Sequence, residues 1–285
     1  MALALREAIG AEERQAYFRT MEDLRKSIDR LDKAQVNQLR NALISTQAEM
    51  KRILGAAEGF SRVHLQELSA EYNRVIAAFE VRYSTIMADA IVDHSELGRD
   101  MVDLPLEALG RQVSAPMLST QLTELSTLTS ADLVADVGRD LRKRINLETR
   151  FVSMGVKSQQ DAIQALGRAG LESGHFKTVG LRAETILRTE TGRIRSMSYL
   201  SRLDQIDDAT KKEMNLRNKW RWSGIGRPKH ADLDGTMVKP GEKFTTTNAR
   251  GFPVSAEAPR MFGDPSNDIN CGCRIVLTVP ELEEN

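Results

Sequence analysis

The stretch Asn270-Cys271-Gly272-Cys273-Arg274-Ile275-Val276-Leu277-Thr278-Val279 closes a segment, residues 220–279, that reads unlike the chain before it. Both cysteines of the protein are here, two residues apart, and a β-prone apolar run follows them at once. Gly and Pro recur every few residues through the segment, and short β-prone runs replace the helical period, the pattern of a loop-rich module built on short strands. Its other fixed points are Trp220, Arg227-Pro228-Lys229-His230, Leu233-Asp234-Gly235 and Lys239-Pro240-Gly241-Glu242. The last of these is a turn, with Pro preset for the first central position and Gly tolerant of positive φ at the second. Val238 and Phe244 are expected to flank a small hairpin there.

In an extended chain Cys271 and Cys273 point to the same side, so both sulfurs can reach one Zn2+. His230 is the natural third ligand, with Asp232, Asp234 or His175 as the fourth. The competing reading is a pair of buried reduced cysteines acting as small hydrophobes. A disulfide between residues so close would close a small strained ring. Ahead of the module, Lys219-Trp220-Arg221-Trp222 alternates, so in a strand both indoles share one face; core anchorage is the expectation, and stacking on a nucleic-acid base the alternative. Arg217, Lys219 and Arg221 are candidate phosphate contacts. They lie in the one clear basic zone, Arg182 to His230, which holds twelve Lys or Arg against six Asp or Glu.

The first hundred residues keep helical time. Residues 1–104 contain no proline and only Gly10, Gly55, Gly59 and Gly98, and Met21, Leu24, Ile28 and Leu31 recur by three and four up to a break at Gly55 and Gly59. Leu65, Leu68, Tyr72, Val75 and Phe79 continue the pattern, with Ile86 a heptad later. Such a stripe most often faces a neighbouring helix of the same chain, the alternative being an oligomer seam. His64 and His94 read as solvated or capping residues. Asp103-Leu104-Pro105 is expected to stop the helix, and residues 105–130, rich in Ser and Thr, to form a hinge. Thr129-Ser-Ala-Asp132 and Ser158-Gln-Gln-Asp161 have capping-box spacing, and Gly155 suits a helix C-terminus. A further helix over 181–203 carries Arg188, Glu190, Arg193 and Arg195; Arg188 or Glu190 is expected to turn inward and pin the terminal module. The fold class is therefore α+β: a helical arm (1–104), a linker (105–130) and a C-terminal module (131–285) of helices and a small antiparallel sheet.

The order Arg188-Thr189-Glu190-Thr191 in a helix, then Trp220, then His230 with Asp234-Gly235, then Asn270-Cys271-Gly272-Cys273-Arg274 running into an apolar strand, resembles the phage Mu F-like head morphogenesis family, the minor capsid proteins of tailed bacteriophages. The resemblance covers residues 155–279. It implies a virion protein bound inside the head near the portal, and in the host cytoplasm during assembly, that assists head assembly and packaging or ejection of DNA. The partners it implies are the portal protein, the major capsid or scaffolding protein, packaged double-stranded DNA, and a second copy through the helical arm.

Composition bounds the rest. The 285 residues carry 40 basic and 40 acidic side chains, so any basic surface is local, and 41% apolar content suffices for a core. No signal peptide or membrane span is expected from the sequence, which reads as cytosolic. A nuclease of the His-Asn-His kind would need a histidine beyond His230, and the sequence has none there. A Gly-x-x-x-x-Gly-Lys-Ser/Thr loop and a Gly-x-Ser-x-Gly elbow are also absent. Arg188, Thr245-Thr246-Thr247 and Glu281-Leu282-Glu283 stand in the order used for ADP-ribosyl transfer from NAD, which keeps a toxin-like transferase as the rival to a non-enzymatic head protein. A primary DNA-binding protein is the second rival.

Overall fold

Neither proline nor glycine interrupts the chain from Ala11 to Leu54, and a single helix, α1 (Ala11–Gly55), runs its length and stops at Gly55. The computed structural model describes residues 9–111, 121–167, 171–210, 214–224 and 228–282. Arg227, Glu283 and residues 112–120 of the expected linker lie outside the described residues. Four further helices follow: α2 (Arg62–Ala108), α3 (Gln121–Ser153), α4 (Gln159–Ala165) and α5 (Gly174–Ala209). Among the described residues five strands and a one-turn helix come next, with short 3-10 turns between and after them: β1 (Arg217–Arg221), β2 (Met237–Val238), β3 (Phe244–Thr247), β4 (Pro253–Ala256), α6 (Pro265–Asp268) and β5 (Arg274–Thr278). The class is α+β, as the sequence implies.

The contacts divide the chain into two units, and the division does not follow the expected order of arm, linker and module. One unit comprises the described parts of Met1–Leu31, Ile91–Ser126 and Arg188–Asn285; the other comprises Asp32–Ala90 and Thr127–Leu187. The physical reason is that long helices carry two apolar stretches in succession, each serving a different core.

In the second unit, Leu39, Leu43, Met50 and Leu54 of α1 meet Tyr72, Ile76, Phe79 and Tyr83 of α2, a helical hairpin across the Gly55–Gly59 break. Val134, Val137, Leu141 and Ile145 of α3 and Phe176 and Val179 of α5 complete the core. The stripe through Leu68, Tyr72 and Phe79 is thus spent inside this unit. α4 begins on the expected capping box, the Ser158 hydroxyl accepting from the Asp161 amide and the Asp161 carboxylate accepting from the Ser158 amide. Gly155 takes φ +70° just past α3. Thr129, by contrast, lies inside α3, which starts eight residues earlier. His175 is not a loop residue: it sits in the first turn of α5, with Nε2 2.8 Å from the buried Glu148 carboxylate, which also takes Lys157 Nζ at 2.7 Å. Burial alone would raise the Glu148 carboxyl; the hydrogen bonds from Lys157 and His175 outweigh it and hold it below its ordinary range.

The first unit is organised on a three-stranded antiparallel sheet in the order β2-β1-β5, beside the separate pair β3-β4. The alternation along β1 and β5 puts Asn218, Trp220, Ile275 and Leu277 on the buried face. Onto it pack Leu97, Val102 and Leu106 of α2 and Tyr199, Leu203 and Ile206 of α5. The start of α1 belongs here too. Its Tyr17 hydroxyl donates to the Leu277 carbonyl at 2.5 Å, and Arg14 donates to the carbonyls of Glu281 and Leu282. The expected separate arm is therefore corrected: its first turns are part of the C-terminal module.

Other expectations fail for local reasons. α2 does not stop at Pro105 but runs to Ala108, because Leu106 and Leu109 are buried in the core and hold the last turn; Gly110, at φ +67°, is the true terminator. The Lys239–Glu242 turn forms, with Gly241 at φ +78°, but the strands beside it join different sheets: Val238 pairs with Asn218 and Phe244 with Ala256. Trp220 is fully buried, whereas Trp222, one residue past the end of β1, is exposed. His94 is neither solvated nor a cap: it is fully buried on α2 and accepts from Arg195 of α5 at 2.9 Å.

α2 and α5 approach closely at Gly98, where an added Cβ would stand 2.5 Å from the Arg195 carbonyl oxygen and 3.1 Å from the Tyr199 amide. Helix propensity alone favours Gly98→Ala by about 1 kcal/mol. The backbone clash predicts the opposite sign, a lowered midpoint in urea unfolding followed by circular dichroism; a raised midpoint would contradict this packing.

Candidate metal centre

The site is assembled from two short pieces of chain. A 3-10 turn over Pro228–Leu233 carries His230, and the loop after α6 carries Cys271 and Cys273. Asp234 and Gly235 lock the first piece to β1. The Trp222 amide donates to the Asp234 carboxylate, the Gly235 amide to the Trp220 carbonyl, and Gly235 itself has φ +78°, a conformation that suits a residue without Cβ. On the second piece, Asp264 caps α6 and the Asp268 carboxylate accepts from the Phe262 and Asp264 amides. Asn270, at φ +56°, turns the chain toward Cys271 and donates its amide to the Thr189 hydroxyl.

His230, Cys271 and Cys273 come together, all buried, with their candidate ligand atoms within 4.8 Å of one another. His230 Nδ1 lies 3.4 Å from the Cys271 sulfur and 3.6 Å from the Cys273 sulfur. These are the edge lengths of a zinc tetrahedron: bonds of about 2.3 Å to sulfur and about 2.0 Å to nitrogen place the two donors about 3.5 Å apart. Nε2 faces the Asn267 side-chain oxygen at 2.9 Å, while the Asn267 amide nitrogen reaches Asp264, which sets the amide's orientation. The proton therefore sits on Nε2 and the Nδ1 lone pair faces the sulfurs, the arrangement a metal-bound imidazole needs.

The surroundings favour the ionised form of one sulfur, Cys271, and the protonated form of the other. The Cys273 thiol pulls Cys271 down most, the Arg260 charge adds to this, and burial opposes it. Cys273 in turn is pushed up by the ionised Cys271 and by burial, with the Ser223 amide and the Trp220 indole N–H acting the other way. A divalent cation bound at the pair would displace the proton that the two sulfurs share. Among the described residues, no further His, Cys, Asp or Glu joins the three. Asp232 and Asp234 are exposed and His175 belongs to the other unit, so none of the expected fourth ligands is in place.

Residues 141–276 match the family described as Phage Mu protein F like protein. This stretch of the chain is phage Mu F-like. The Mu F-like stretch contains the whole cluster together with Trp220 and the Arg188–Thr191 helix turn. A curated relative, the NAD(+)--arginine ADP-ribosyltransferase EFV of Enterococcus faecalis (strain ATCC 700802 / V583), is 35% identical over 108 residues, 35% of this chain and 20% of that protein. The chain thus matches about a fifth of the relative's length. No solved structure matches the chain.

The signature residues of the Mu F-like stretch have separable tasks. Trp220 is the floor of the cluster, its ring 5.6 Å from His230, 5.0 Å from Phe244 and 5.9 Å from Phe262. In this helix Thr189 touches the cysteine loop, and Glu190 grips Arg193, which reaches the Arg260 carbonyl. Sequence reasoning missed Asn267 and Arg260. Asp264-Pro265-Ser266-Asn267-Asp268, with an N-cap and a proline at the first helical position, held the signal for Asn267. Arg260 had none, since it reaches the site by crossing α5 at Gly192, a contact between residues 68 apart. Lys219 and Arg221 lie on the opposite face of β1 from the cluster, while Arg217 bonds its neighbour's carbonyl.

Replacing Asn267 by Ala leaves all three donors but frees the imidazole. Affinity for Co2+, read from its thiolate absorption band in the full chain, is expected to fall about 10- to 100-fold. Unchanged affinity would mean that Asn267 does not orient His230.

Proposed function

We propose that this protein is a minor head protein of a tailed bacteriophage, held inside the capsid near the portal, where it assists head assembly and the handling of packaged DNA. The match of residues 141–276 to the Mu F-like family carries this reading. The site supports a structural role over a catalytic one: His230, Cys271 and Cys273 are all buried, out of reach of a substrate. In this reading Zn2+ at the three donors fastens the 3-10 turn to the cysteine loop, and the basic residues of β1 contribute phosphate contacts. Among the described residues, no helix is long and apolar enough to cross a membrane.

The ADP-ribosyltransferase relative favours a second reading, NAD-dependent transfer. Of the residues it would use, Arg188 lies on α5, Thr245, Thr246 and Thr247 form most of β3, and Glu281 lies in the closing 3-10 turn, where its carbonyl accepts from Arg14. Glu283 is outside the described residues.

Because the start of α1 is part of the C-terminal unit, deleting the first hundred residues would remove core and confuse any binding assay. The test is co-purification of the intact chain with the portal protein of the same phage at low and high salt. Retention at both is the expected result. No retention at either, together with NAD consumption by the pure chain, would replace the head-protein reading with the transferase one.

A further inference from the structure

On the solvent side of the sheet, away from the cysteine cluster, α1 and the strands β1 and β5 enclose a cleft of about 340 Å3. Its floor is apolar: Leu24, Ile28, Met101 and Val276. Its rim carries Lys219, Arg221 and Arg274 from the sheet, while Arg25 of the helix is paired with the carboxylates of Glu22 and Asp29. Two large aromatic side chains stand at its mouth, Phe18 at 53% exposure and Trp222 at 36%.

Arg221 and Arg274 are direct register partners on antiparallel strands, and Lys219 lies on the same face two residues along. Like charges directly opposite each other destabilise a strand pair. Planar guanidinium forks and an ammonium gathered on one face beside an apolar cleft suit an anion, phosphate in particular. The exposed rings add the second half of the recognition. An aromatic face next to a phosphate-sized positive site fits a base attached to that phosphate, and a cleft in the 300–1,000 Å3 range accommodates one nucleotide. Bases paired within a duplex cannot reach such rings, so the occupant must be unpaired.

We propose that this cleft binds a nucleobase carrying phosphate: Trp222 and Phe18 stack on the base, and Lys219, Arg221 and Arg274 hold the phosphate. The source is a free nucleotide or an unpaired stretch of nucleic acid. The inference deepens the phosphate contacts assigned above to the basic residues of β1 and uses neither the portal nor the metal centre.

The test is fluorescence anisotropy of a labelled short oligothymidylate titrated with the intact chain, alongside a duplex of equal length and with ATP as competitor. The single strand is expected to bind more tightly than the duplex. Trp222→Ala and Phe18→Ala should each weaken it about 5- to 100-fold, and Arg221→Glu at least about tenfold. All three side chains are exposed, so unchanged circular dichroism and thermal midpoint are expected to accompany the loss. Competition by ATP identifies a single-nucleotide site, and its failure identifies strand recognition. Equal binding of duplex and single strand without dependence on Trp222 or Phe18 would overturn the proposal in favour of a phosphate-only surface. Absence of binding to every nucleic-acid probe, with binding of an acidic peptide lost in Arg221→Glu, would overturn it in favour of a peptide groove.

Discussion

The C-terminal unit depends on one imidazole. His230 is held at Nε2 by Asn267 and presents Nδ1 to two sulfurs, and in doing so it joins two loops 37 and more residues apart that share no strand pairing. The small sheet could not hold these loops by itself. β2 has two residues and β3 and β4 have four each, so few ladder bonds are available and the side-chain cluster takes over their role. Trp220 supplies the wall, in edge contact with His230 and Phe244. A metal bound at the three donors would concentrate in one place the constraint that a larger sheet distributes over many backbone bonds.

Two helices bring this arrangement to order from outside. α5 contributes Thr189, which receives the Asn270 amide, and Gly192, whose missing side chain lets Arg260 lie across the helix toward Cys271. α1 covers β5 through Tyr17 and Arg14, so the chain's beginning closes the end of its sheet. That same covering leaves a cleft on the sheet's outer face. The inner face of β1 thus serves the cysteine cluster and the outer face carries the cations, a division that follows from the two-residue period of a strand.

What was legible in the sequence was whatever depends on near neighbours. The helices announced themselves by three-four spacing, Ser158 and Asp161 by their cap, Gly241 by its turn, and the cysteine pair with His230 by the chemistry those residue types share. Illegible was whatever depends on distant contact. The contact of Tyr17 with Leu277 spans 260 residues and leaves no trace in local periodicity, so the helical segment read as an arm. Pro105 looked like a helix end because a proline usually is one; burial of Leu106 and Leu109 overrode it. Alternation placed Trp220 correctly and misplaced Trp222, because the strand ends one residue before it. The three candidate donors were named from chemistry, but Asn267, which orients the imidazole, emerged only from the fold.

The most direct measurement is zinc K-edge X-ray absorption on the intact purified chain, with thiol titration of the same sample. The account predicts a first shell containing two sulfurs at about 2.3 Å and nitrogen or oxygen at about 2.0 Å, with neither thiol titrating until the metal is chelated. A folded protein that contains no metal, exposes no dependence on chelator in its thermal midpoint and takes up no added zinc would contradict it.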